Sequence, residues 1–136
     1  MRAAYLVYTR FGGALLTGAQ LGADGTFRVD VDLPGADNDA LRALEGPLND
    51  VIRADLPISS TFVPYDEAQA VPGLFRSKAV APPPGPDGLV RIVEIAGLDR
   101  QACGGTHLSS TGQARPARIV KIDNNGRQNR RIKVSV

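Results

Sequence analysis

From Thr26 to Leu33, apolar and charged residues alternate. Phe27, Val29, Val31 and Leu33 fall on one side, and Arg28, Asp30 and Asp32 on the other. A period of two predicts a half-buried strand, and Pro34-Gly35 ends it. Asp37, Asn38 and Asp39 are candidate helix caps, after which Leu41, Leu44, Leu48, Val51 and Ile52 recur at helical spacing. Gly46-Pro47 interrupts that run, so a kink or a helix starting near Pro47 is expected. Leu56-Pro57 stops it. ISSTFVP (58–64) reads as a second strand, and YDEAQAVPG (65–73) as a short helical turn. APPPGPDG (81–88) holds four prolines and predicts an exposed loop. LVRIVEIAG (89–97) is rich in β-branched residues and reads as a strand, and 117–136 as a hairpin turning at Asn124-Asn125-Gly126.

The order strand, helix, strand, short helix, strand, hairpin argues for an α+β fold over residues 1–136, a mostly antiparallel sheet with helices packed on it. GGALLTG (12–18) follows no strand in this reading and lacks the lysine of a phosphate-binding loop.

At 136 residues the chain suffices for one domain with a core, and no apolar run approaches the ~20 residues of a membrane span. No signal peptide is read at the N-terminus. A lone cysteine forms no internal disulfide, which fits a cytoplasmic protein. The net charge of +2 conceals a split. Residues 115–136 carry seven Lys or Arg and one acid, leaving nine bases against thirteen acids elsewhere. This suggests a basic face for a phosphate-bearing partner, or equally a solvated strand face.

The only cysteine and the only histidine, Cys103 and His107, stand four positions apart in DRQACGGTHLSSTG (99–112). Gly104 and Gly105 allow the sharp turn that would let thiolate and imidazole converge on one ion. That donor pair suits zinc, although a catalytic zinc normally takes three protein ligands. The alternative is a loop in which Cys103 is a small buried side chain and His107 caps a turn.

The stretch VEIAGLDRQACGGTHLSSTGQARPARIVKIDNNGRQNRRIKVSV resembles the C-terminal half of the editing domain of alanyl-tRNA synthetases. It is more similar still to the AlaX-type trans-editing relatives. GALLTGAQLG (13–22), FRVDVDLP and NDVIRADLPISSTFVPYDEAQAVPGLFR (49–76) fit in order and spacing, so the resemblance covers nearly the whole chain. It implies the alanyl/threonyl-tRNA synthetase editing (second additional) domain fold. It also implies zinc held by an H-x-x-x-H pair and by the C-x-x-x-H element. Cys103 and His107 match the second pair. The second histidine of the first pair would fall at or before Met1, so residues 1–12 read as a remnant of the first helix, with Ala3, Ala4, Leu6, Val7 and Phe11 to pack. A misplaced start, a natural truncation with a weakened metal site, or a second chain completing the site would each account for this.

The implied chemistry is ATP-independent hydrolysis of the ester on mischarged tRNA(Ala), with serine and then glycine as the wrong amino acid. Thr17 would read the serine hydroxyl and Gln20 would place the ester or water. Gly104 and Gly105 would give backbone room and N–H groups beside the carbonyl. Asp99 and Thr106 would orient the metal ligands. Arg118, Arg127, Arg130 and Arg131 would meet tRNA phosphates. The competing readings are a metal-poor descendant that binds tRNA or another partner without hydrolysis, and a structural homodimer.

Overall fold

The computed structural model describes residues 9–76, 83–126 and 128–136, together with Leu6. Ala3, Ala4, Val7, Pro82 and Arg127 lie outside the described residues. The elements in order are β1 (Leu16–Leu21), β2 (Thr26–Asp32), α1 (Asn38–Arg42), α2 (Glu45–Arg53), β3 (Ile58–Pro64), α3 (Tyr65–Ala70), β4 (Leu89–Ile95) and β5 (Asp99–Ala102). A 3-10 turn (Thr111–Gln113), β6 (Arg118–Asn125) and β7 (Asn129–Ser135) follow. The α+β expectation holds, with two antiparallel sheets rather than one. The four-stranded sheet runs β1-β2-β7-β6 and the three-stranded sheet β3-β4-β5.

The alternation in β2 works as expected for the apolar side: Val29 and Val31 are buried against Leu41, Leu44, Leu48 and Ile52 of the α1–α2 region. Ile119, Ile122, Ile132 and Val134 of the closing hairpin complete this core, and Leu6 joins it. Asp30 departs from the pattern, because it too is buried. The helical run breaks at Ala43 and Leu44, and α2 begins at Glu45 with Pro47 in its first turn. There the missing proline N–H has no helical partner to lose. Asp37 caps α1 by accepting from the Asp39 amide at 3.0 Å.

α2 also grips the hairpin. The Asn49 amide group donates to the Ala117 carbonyl at 2.8 Å, and its oxygen accepts from the Ala117 amide at 2.7 Å. Glu45 Oε2 accepts from the Ile119 amide at 2.9 Å. On the three-stranded sheet, Val90 and Ile92 pack against Ala68 and Leu74.

Backbone bonds tie the 74–76 segment to both sheets. The Leu16 amide donates to the Arg76 carbonyl at 2.9 Å, and the Ala102 amide to the Leu74 carbonyl at 2.8 Å. A further staple joins the chain after α2 to residues 109–112. The Ile58 amide donates to the Ser109 carbonyl at 2.8 Å, and the Gly112 amide to Asp55 Oδ1 at 3.0 Å. Thr111, fully buried, donates its hydroxyl to the Val51 carbonyl at 2.6 Å and accepts from the Leu56 amide at 2.8 Å.

Candidate functional site

β5 ends at Ala102, and the chain turns through Cys103 to His107 immediately after it. Cys103 still follows the sheet register, since its amide donates to the Arg91 carbonyl at 3.2 Å. Its thiol and the imidazole converge: Sγ and His107 Nε2 lie 3.1 Å apart, both residues half-buried. Arg91 holds the loop from the neighbouring strand by donating from Nη1 to the Gly105 carbonyl at 2.5 Å.

The two glycines turn the loop differently from expectation. Neither Gly104 nor Gly105 has a positive φ. A Cβ at Gly104 would meet nothing within 4 Å, and at Gly105 only Cys103 Sγ at 3.8 Å. The turn therefore uses angles open to any residue, and the absent side chains leave open space beside the thiol. Among the described residues, the Gly104 and Gly105 amides make no hydrogen bond.

His107 and Thr106 line an open cleft of about 650 Å³ that runs between the two sheets. Gln20 of β1 lies on the same cleft, as do Ile95 of β4, Ile52 of α2 and Arg115. Sequence positions 20 and 107 thus come to one surface. Thr17 is half-buried and its hydroxyl donates to Asn129 Oδ1 at 3.4 Å. That is a long bond, and Thr17 is not among the residues that line the cleft.

Asp99 is placed otherwise than as a partner of the Cys-His pair. Its buried carboxylate lies 2.6 Å from Arg76 Nη1 and accepts from Gln101 Nε2 at 2.8 Å. Since the 74–76 segment also bonds β1, Asp99 braces the approach of the two sheets. The expected basic face is likewise divided. Arg118 is exposed, whereas Arg130 is buried. Arg131 grips Asp30 with two prongs, Nε at 2.8 Å and Nη2 at 3.1 Å. Those bonds raise the guanidinium pKa above its ordinary value.

A zinc ion bound by thiolate and imidazole sets sulfur and nitrogen about 3.5 Å apart. The pair reaches that spacing with a small side-chain adjustment. Among the described residues, however, no group of three or more His, Cys, Asp or Glu is gathered to hold a metal. The donor set present therefore fits half of a zinc shell.

Residues 90–133 match the family model of the threonyl and alanyl tRNA synthetase second additional domain. The chain is 38% identical over 127 residues to the alanyl-tRNA editing protein AlaX-M of Methanosarcina acetivorans, covering 93% of this chain and 51% of that protein. It is 32% identical over 133 residues to AlaX-M of Saccharolobus solfataricus, covering 98% of this chain and 54% of that one. The chain belongs to the alanyl-tRNA editing family. Similarity extends to the alanine–tRNA ligase of Methanopyrus kandleri, 38% identical over 85 residues, 61% of this chain and 9% of the ligase. The chain spans about half the length of the editing proteins it matches. No helix among the described residues is long and apolar enough to cross a membrane.

Within this editing domain, residues other than the expected ones shape the site. Arg91, Arg76 and Thr111 position the loop and its flanks, yet in sequence each stands as an ordinary polar residue. Only the strand reading of 89–97 places Arg91 on a face, and it leaves the guanidinium's carbonyl partner unspecified.

Proposed function

We propose that this chain carries the hydrolytic site of an aminoacyl-tRNA editing enzyme, which deacylates tRNA(Ala) bearing serine or glycine. The observation that carries the reading is the 3.1 Å approach of Cys103 Sγ to His107, the member of the pair that lines the cleft together with Gln20. The family relationship supplies the substrate class.

In the reaction, water adds to the ester carbonyl carbon, the bond to the ribose oxygen breaks, and that oxygen takes up a proton. Amino acid and tRNA are released. The amides of Gly104 and Gly105, which make no hydrogen bond among the described residues, donate to the carbonyl oxygen as charge develops on it. Gln20, on the same cleft, orients the ester or the water. Thr17 exchanges its long bond to Asn129 for the serine hydroxyl. A hydrogen-bonded hydroxyl discriminates against alanine far better than an apolar pocket does. Cys103 and His107, together with ligands beyond this pair, would hold a zinc ion, which would supply a positive centre to polarise the carbonyl. Arg118 and Arg115 meet backbone phosphates, and Arg127 is proposed for the same role. Cytoplasmic placement follows from the tRNA substrate.

Deacylation of Ser-tRNA(Ala) by the purified chain tests this directly. Cys103→Ala and His107→Ala are expected to abolish turnover, and metal analysis to find about one zinc per active site. Activity surviving in both variants would remove the pair from the mechanism. The metal-poor alternative draws on the half-filled donor set: tRNA would then bind with salt-dependent affinity and stay acylated.

A further inference from the structure

Phe62 is 62% exposed in the middle of β3, a position where aromatic side chains ordinarily pack. Its cross-strand partner is Arg91 of β4. The register continues from Ile92 opposite Ala102 to Arg91 opposite Cys103, confirmed by the 3.2 Å bond from the Cys103 amide to the Arg91 carbonyl. Paired residues in a sheet share a face. Phe62, Arg91 and Cys103 therefore form one row across three strands, on one face. Two strand spacings separate its ends, about 10 Å. Arg91, in the middle, reaches over to the Gly105 carbonyl at 2.5 Å, which fixes the near edge of the loop.

An esterified tRNA ends in a nucleoside with the amino acid on its ribose and the base on the far side of the same sugar. A site that opens this ester must accommodate the base within one nucleoside length of the reacting carbon. Unpaired bases are held chiefly by stacking on exposed aromatic faces. Among the described residues, Phe62 is the exposed aromatic at that distance from the Cys-His pair, and Arg91 places a positive charge beside the path of the sugar-phosphate. We propose that Phe62 is the stacking platform for the terminal adenine of the acceptor end. This inference rests on the editing reading of Cys103 and His107, and its test separates the two.

The probe is a short CCA-ended RNA carrying 2-aminopurine in place of the terminal adenine, whose fluorescence falls when the base stacks. Binding to the full chain is expected to quench it. Phe62→Ala and Phe62→Leu should abolish the quench, and Phe62→Tyr should keep it. In parallel, Phe62→Ala should raise KM for Ser-tRNA(Ala) roughly 10-fold, with kcat little changed. Equal quenching in wild type and Phe62→Ala, or no quenching in wild type, overturns the proposal. So does a Phe62→Ala variant that alters only the sedimentation of the protein, which would assign the face to contact between copies. Phe62-dependent quenching in a wild type that hydrolyses nothing would sink the editing reading and leave the stacking site standing.

Discussion

Asp30 and Arg131 face each other across β2 and β7 and meet in a two-pronged ion pair, with the carboxylate buried. The pair explains why Asp30 breaks the polar-outward alternation of its strand. Arg131→Ala leaves the buried acid with the longer 3.9 Å approach of Arg28 Nε in place of two hydrogen bonds, so the melting temperature is expected to fall by several degrees. Asp30→Asn in the same background should recover part of the loss. Arg118, exposed at the start of β6, has no ion-pair partner among the described residues. Arg118→Ala should leave stability unchanged and lower the slope of log K for tRNA against log salt by about one. A slope that responds to Arg131 and ignores Arg118 would reverse these assignments.

Thr111 secures the 3-10 turn through both functions of its hydroxyl. Thr111→Val keeps the shape and removes two buried hydrogen bonds. The Leu56 amide and the Val51 carbonyl then lose a partner, at an expected cost of about 1–3 kcal/mol. The midpoint of urea unfolding measures this. An unchanged midpoint would show that neighbouring groups or water take over both bonds.

Two glycine substitutions should part company. A Cβ at Gly112 would sit on the Asp55 side chain, within 2.6 Å of its Cγ, and Asp55 itself holds a positive φ of 48°. Gly112→Ala is therefore expected to destabilise by about 1–3 kcal/mol. Gly104→Ala should fold within about 0.5 kcal/mol of wild type, since its Cβ meets open space. Any loss of deacylation in Gly104→Ala then reports crowding beside the thiol. Unfolding of that variant would show that the loop needs a conformation only glycine reaches.

Asp24 accepts from the Thr26 hydroxyl at 2.5 Å and from the Thr26 amide at 3.1 Å. The hydroxyl bond first, and the amide bond second, hold its carboxyl below the ordinary carboxylate value. With the folded value lower than the unfolded one, its contribution to the turn is complete above the unfolded value. It disappears as pH falls through the folded value. An NMR titration of the Asp24 carboxyl should show the low midpoint, and Thr26→Val should move it up. A midpoint indifferent to Thr26 would contradict this account.

The parts of the fold legible in sequence are those whose burial follows a local period. β2, β3, β4 and the β6–β7 hairpin alternate or carry β-branched runs, and α2 shows helical spacing of Leu48, Val51 and Ile52. β1 and β5 do not. LTGAQL includes a glycine and lies at a sheet edge, with Leu21 81% exposed, so no apolar period marks it. DRQA buries Asp99 and Gln101 because Arg76, more than twenty positions earlier, meets the acid. Such long-range pairing leaves no local trace. At the candidate site, the Cys-x-x-x-His spacing led directly to two atoms in contact. The glycines between them misled on backbone angles, since small size rather than left-handed conformation is what the loop uses.

β7 lies between β2 and β6, so the four-stranded sheet is closed by its latest-synthesised strand. The β1–β2 hairpin emerges from the ribosome about a hundred residues before its other neighbour, and until then β2 presents an unpaired edge. Assembly of this half must therefore be late and governed by long loop closure, and the nascent chain needs protection from edge-to-edge association in the interval.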